Sequence, residues 1–149
     1  MEVAGTVGGI LAQKVSTVWS IAPTAMIFDA IALMADKNIG ALPVVENDKL
    51  IGIISERDYT RKVILKGKSS KETRVQEIMT QQLVTANPDD TVVDCMRVMT
   101  EKRVRHLPVM EEGKMTGMLS IGDVVKWLLS AQAATIDNLE QYISGASLD

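Results

Sequence analysis

The sequence predicts a mixed α/β protein, α+β in local order, made of two β-α-β-β-α units packed sheet to sheet about a pseudo-twofold axis. Three observations carry that expectation. The chain repeats itself at a spacing of 65 residues, with twelve identities in the 47 pairs that align Val18–Ile64 with Leu83–Leu129. Helical and strand-like hydrophobic periods alternate in the same order within each copy. At 149 residues, 46% of them hydrophobic, the chain is long enough to bury a core.

Each copy opens on a short extended stretch, Val18–Ile21 or Leu83–Ala86, followed by Pro23 or Pro88, which biases its predecessor toward β. A stripe spaced i, i+3, i+4, i+7 comes next: Ile27, Ala30, Ile31 and Met34, then Val92, Cys95, Met96 and Met99. That spacing places one apolar face on a helix. Thr91-Val-Val-Asp94 reads as a capping box, whereas Met26 stands at the first copy's equivalent position and leaves Thr24 or no side chain as the cap. Two β-rich runs follow, Leu42–Val45 with Leu50–Ile54 and Leu107–Met110 with Met115–Leu119. Each pair is separated by four polar residues and reads as a hairpin. A second helix is expected from about Glu56 and Ile121. The resulting division is an N-terminal segment (1–17), a first unit (18–66), a polar linker (67–82), a second unit (83–130) and a C-terminal helix or tail (131–149). Within the linker, Val75–Met79 reads as an amphipathic turn, and Ile136–Ile143 has helical spacing suited to flanking a dimer interface.

Composition narrows the function. A net charge of −3 gives no general attraction for nucleic acid or an anionic membrane, so any anion site has to be local. Cys95 is the single cysteine and His106 the single histidine, which excludes an intramolecular disulfide and a Cys-His metal cluster. No run reaches the ~18 apolar residues of a membrane span, and Met1–Thr6 lacks the regions of a signal peptide. The expected compartment is the cytoplasm. Cys95 falls on a buried helical stripe and is expected to be a small core hydrophobe.

The element Ile51-Gly-Ile-Ile-Ser55-Glu-Arg-Asp58 returns as Thr116-Gly-Met-Leu-Ser120-Ile-Gly-Asp123, each copy preceded by Leu-Pro-Val and by a helix carrying Asp29 or Asp94. This pattern resembles the signature of cystathionine-β-synthase (CBS) domains, whose tandem pairs form the Bateman module. The flanking segments are similar to those of stand-alone bacterial CBS-pair proteins. The resemblance implies a regulatory module that binds AMP, ADP, ATP, NAD(H) or S-adenosylmethionine in a cleft between the units, and it implies that two pairs assemble as a homodimer.

Candidate site residues combine side-chain chemistry with that resemblance. Asp58 and Asp123 can each accept two hydrogen bonds from a ribose cis-diol, although Ser-x-x-Asp is equally a capping box. Ser55 and Ser120 sit at the same helix starts, where free N–H groups favour an anion or hydroxyl, and the family implies ribose or phosphate contact for them. Arg57, Arg61, Arg105 and His106 are the phosphate candidates, the arginines because a guanidinium fork matches phosphate oxygens. The first copy has Arg57 and Arg61 beside Asp58, where the second has Gly122 and Lys126. The second has Arg105 and His106 before Leu-Pro-Val, where the first has Gly40 and Ala41. This complementary distribution favours one strong site built on Asp58. Positions matching the family's adenine walls are Ser20, Ile21, Ala41, Leu42, Pro43, Val84, Thr85, Leu107, Pro108 and Val109, all of them equally explained by core packing.

The expected function is a non-catalytic sensor of adenosine nucleotides, AMP first, that passes energy or redox state to an unidentified effector protein. It needs no metal for its fold and has no nucleic-acid or membrane partner. The alternatives are a structural dimerisation module with vestigial ligand sites, or a sensor of S-adenosylmethionine. No P-loop, Gly-x-Gly-x-x-Gly turn or nucleophile–base pair suggests an enzyme.

Overall fold

The computed structural model describes residues 5–14 and 17–131. The chain divides into two compact units that do not follow chain order. One comprises Ser16–Thr85 with Met110–Gly117 and holds the first motif; the other comprises the described parts of Met1–Val15, Ala86–Val109 and Met118–Asp149 and holds most of the second.

In the first-motif unit, helix α2 (Ile27–Lys37) leads to strands β1 (Ala41–Glu46) and β2 (Lys49–Ser55). A short helix α3 (Glu56–Asp58) then widens into a π-helical turn over Tyr59–Ile64. The widening shows in the i→i+5 bond from Leu65 N to Thr60 O, 3.1 Å. Ile27, Ala30 and Met34 of the predicted stripe are buried together with Leu42, Val44, Ile54 and Val63, while Ile31 packs at the edge. Helix α2 has no side-chain cap, so Thr24 is not one. Its first N–H groups are satisfied instead by chain carbonyls, Ile27 N by Thr73 O and Phe28 N by Ser70 O, both within 2.9 Å.

The β1–β2 hairpin is tighter than the four polar residues suggest. Glu46 pairs with Lys49, leaving Asn47 and Asp48 as a two-residue turn with φ of 52° and 63°. Two successive positive φ values match the twist of the flanking strands, and Asn and Asp tolerate them. Glu112 and Gly113 make the same turn between β3 (His106–Glu111) and β4 (Lys114–Ser120). The expected opening strands contribute only single parallel bridges, Ile21 to Val44 and Ala86 to Val109.

The second-motif unit has helix α5 (Val92–Lys102), with Val92, Cys95 and Met99 buried, and a final helix α6 over 121–131. Thr91 caps α5 by accepting from Asp94 N at 3.1 Å. The Asp94 carboxylate does not complete the expected box; it turns to Arg97 at 3.1 Å. Residues 136–143 lie outside the described residues.

The segments read as an N-terminal piece and a linker hold a second level of repeat. Helix α1 (Val7–Gln13) and helix α4 (Val75–Ile78) dock with matching bonds. Val7 N and Gly8 N donate to Asp90 O and Pro88 O, and Val92 N donates back to Gly5 O. Val75 N and Gln76 N donate to Ala25 O and Pro23 O, and Ile27 N donates back to Thr73 O. Val7 and Ile10 bury as Val75 and Ile78 do. The helix that precedes the first motif therefore completes the second-motif unit, and α4, which precedes the second motif, completes the first.

Gly52 is needed where β2 meets the strand-like edge at Thr80. A Cβ there would sit 2.7 Å from Met79 Sδ and 3.1 Å from Thr80 O. Met79 can swing aside, but Thr80 is fixed by its two backbone bonds with Ile53, 2.8 and 3.0 Å. Gly52→Ala is expected to lower the unfolding free energy by about 1–3 kcal/mol, the usual overpacking cost, as read from the midpoint of urea denaturation.

Candidate functional site

Both Ser-x-x-Asp elements lie where a strand runs into a helix, and both are complete capping boxes. In the first, Asp58 N donates to Ser55 Oγ at 3.1 Å, while Ser55 N and Ser55 Oγ each donate to Asp58 Oδ2 at 3.0 Å. In the second, Asp123 N donates to Ser120 Oγ at 3.1 Å and Ser120 N donates to Asp123 Oδ2 at 2.9 Å. The strand–helix corner is fixed the same way in both copies, Glu56 N to Gly40 O and Ile121 N to Arg105 O. The cap reading and the candidate-site reading thus fall on the same atoms.

Each carboxylate also carries a lysine that motif reading did not single out. Lys62 Nζ lies 3.1 Å from Asp58 Oδ1 and 3.0 Å from Ile78 O, and Thr80 Oγ1 donates to Asp58 Oδ1 at 3.4 Å. Lys14 Nζ lies 2.8 Å from Asp123 Oδ2 and 3.0 Å from Met118 O. Lys62 was legible in principle, four residues after Asp58 on one helical turn. Lys14, 109 residues from its partner, had no local signal.

The electrostatics of the second motif follow from that lysine. Burial alone would push the Asp123 carboxyl up, but the bonds from Lys14 and Ser120 outweigh it and hold it below the usual carboxylate range. His106 is half-buried. Its pKa is lowered by burial first, then by the positive charge of Lys14, with Asp123 opposing and Arg105 reinforcing. Cys95 is buried, and desolvation with nearby Asp90 and Asp94 pushes its thiol to about 11, as expected of a core hydrophobe.

Of the phosphate candidates, Arg57 and Arg61 are exposed in the unit that holds Asp58, while exposed Arg105 and half-buried His106 belong to the unit that holds Asp123. Among the adenine-wall positions, the side chains of Leu42, Leu107 and Val109 are at most 1% exposed, and Ala41, Pro43 and Pro108 are buried too. At these six positions the side chains belong to the core and offer no accessible wall. Ser20 and Thr85 are exposed, and Ile21 and Val84 are half-buried, so their side chains remain accessible. An open pocket of about 220 Å³ borders the first motif at Gly40 and Glu56, but its walls are Ile31, Met34 and Ala35 of α2, and neither Ser55 nor Asp58 lines it. Among the described residues no cluster of acidic, His or Cys side chains is arranged to hold a metal ion, and no helix is long and apolar enough to cross a membrane.

The doubled geometry has a known counterpart. The CBS domain model matches residues 14–64 and 75–130, and the chain belongs to the CBS domain family as a tandem pair. The chain is 44% identical over 124 residues to CBS domain-containing protein CBSX3, mitochondrial, of Arabidopsis thaliana. That match covers 80% of this chain, which spans 60% of the plant protein's length. Among solved structures, a CBS-domain protein from Burkholderia ambifaria MC40-6 superposes with a TM-score of 0.83 at 47% identity, covering 85% of this chain and 95% of that one. The CBS domain pair of protein MJ0100, solved with 5′-methylthioadenosine and S-adenosyl-L-methionine, shares the fold at a TM-score of 0.73 and 24% identity, covering 85% of this chain and 98% of that one.

The lowered His106 pKa fixes the sign of one pH effect. Unfolded His106 titrates near 6.5, and the folded group takes its proton only at lower pH. Stability is therefore full above 6.5 and falls as the pH drops toward the folded value, by at most about 1.4 kcal/mol per pH unit. The Asp123 contribution is separable, since it is present above 3.8 and lost only as the pH falls through its depressed folded value. Urea melts between pH 7 and 5 should show the first loss in the native protein and a flatter profile in His106→Gln.

Proposed function

We propose that the chain is a non-catalytic, cytoplasmic sensor of adenosine nucleotides, AMP foremost with ADP, ATP or NAD(H) as related ligands, and that it signals to an effector protein as a homodimer. The observation that carries this reading is the pair of half-buried carboxylates at two matched strand–helix corners in a CBS pair. Each carboxylate is preorganised by its serine and keeps a small exposed surface, 14% for Asp58 and 19% for Asp123, where a diol would compete with the lysine for the carboxylate. Asp58 with Ser55, and Asp123 with Ser120, bind ribose; Arg57 and Arg61 from one unit and Arg105 and His106 from the other supply phosphate contacts. A fold of this kind accommodates adenosine compounds in the MJ0100 domain pair. Exposed Ile121, Val125 and Leu129, spaced four apart on α6, and exposed Phe28, Ile64 and Leu65 in the other unit provide apolar surface for a second copy. Ligand binding changes the signal only to the extent that it favours one arrangement of the protein over another.

The reading competes with a module that merely dimerises. AMP at 100 times its Kd should add about 2.7 kcal/mol to stability and raise the melting temperature; no rise with AMP, ATP or NAD⁺ would leave the dimerisation module. S-adenosylmethionine in the same thermal-shift series tests the sulfonium ligand.

Two substitutions probe the site. Asp58→Ala is expected to weaken AMP binding more than Asp123→Ala, because arginines flank Asp58 and the Lys14 bond to Asp123 is the shorter ion pair. Equal losses by calorimetry would count against one dominant site. Arg57→Ala should reduce affinity for AMP about ten-fold and leave adenosine nearly unchanged; a matching loss for adenosine would remove Arg57 from the phosphate role.

A further inference from the structure

The repeat conserves the carboxylate but not the origin of its cation. Position 127, the equivalent of Lys62, is tryptophan, and its ring packs against Gly5 so closely that a Cβ at residue 5 has no room. The Asp123 carboxylate instead takes its lysine from the residue that ends α1, far away in the chain. That lysine is more enclosed than its counterpart, with a side-chain exposure of 29% against 43% for Lys62. It also lands on the same oxygen, Oδ2, that Ser120 N already uses. Lys14 and Arg105 both bring positive charge to bear on His106, and Asp123 opposes them.

We infer that Lys14 is the specificity-determining residue of the Asp123 half-site, an internal cation that disfavours adenosine ligands without a phosphate and yields to those that bring one. This inference rests on the reading that Asp123 receives a ribose. A neutral diol approaching Asp123 has to share or break the charge-assisted bond at 2.8 Å. That leaves a half-enclosed ammonium without an anion, which is costly. A phosphate ester offers the ammonium a replacement anion, so the pairing is exchanged rather than lost. The four-carbon lysine stem and its freely rotating ammonium permit such a swing without moving α1. A sulfonium ligand meets the opposite situation, adding positive charge beside Lys14 and Arg105. The half-site therefore ranks its ligands phosphorylated first, neutral second and cationic last.

Calorimetric titration of AMP and adenosine into the full chain carrying Asp58→Asn, so that the Asp123 half-site reports, tests this ranking. With Lys14 present, AMP is expected to bind about ten-fold or more tightly than adenosine. Adding Lys14→Met should bring that ratio near unity, by weakening AMP and strengthening adenosine, and adding Lys14→Arg should retain the preference. A ratio that Lys14→Met leaves unchanged, or equal weakening of both ligands, makes the lysine purely structural and overturns the inference while the nucleotide reading survives. AMP binding by the native chain but not by Asp58→Asn leaves the second half-site empty and also overturns it. Failure of the native chain to bind either ligand removes both the reading and the inference.

Discussion

A single carboxylate at the end of a β-strand does three jobs in each half of this protein. It accepts the strand's last N–H, its own backbone N–H is held by the neighbouring serine, and it anchors a lysine that also grips a chain carbonyl. Strand direction, helix start and local charge are thereby tied to one atom group. A helix begun by an aspartate in its first turn gains from the backbone dipole as well. The corner is an ion pair braced by capping bonds, and the carboxylate's remaining hydrogen-bonding capacity is small. Such a group suits recognition because the fold has already covered most of the cost of orienting it.

Much of this was legible in the residues and some was not. The repeat, the helical stripes and the Ser-x-x-Asp corners could be read because each is local: hydrophobic period, turn chemistry and capping spacing act within a few residues. The hairpin loops were read too long because Glu46 and Lys49 look like loop residues, yet their backbones pair across the strand ends. Asp94 was read as half of a box, but Arg97 one turn away offers a charged partner at 3.1 Å. Lys14 and the docking of α1 and α4 were not legible, because no local pattern specifies which distant carbonyls a helix start will meet. The 68-residue offset from Val7 to Val75, and again from Ile10 to Ile78, hides beside the 65-residue offset of the motifs.

Duplication usually preserves a core and releases the surface, and the two halves show both. Buried positions match closely, as with Ile27 and Val92, Met34 and Met99, or Leu42 and Leu107. Charged positions diverge: in the repeat, Arg57 aligns with Gly122, Lys62 with Trp127, and Gly40 with Arg105. Each carboxylate nevertheless retains a lysine within 3.1 Å, drawn from a different part of the chain. A partly buried carboxylate is costly without a compensating charge, so that requirement has survived while the residue meeting it has changed.

The crossed lead-in helices bear on how the molecule is made. During synthesis α1 emerges well before Pro88, Asp90 and Val92, its hydrogen-bonding partners, and can meet them only after they have followed it out. Contacts that span so much chain are slow to form, and until then Val7 and Ile10 have nowhere to bury. The half with the later motif thus draws on chain from both sides of the first motif, and the other half can mature in the interval. A gene fragment cut at the motif boundaries would yield two incomplete bodies, each short of one helix.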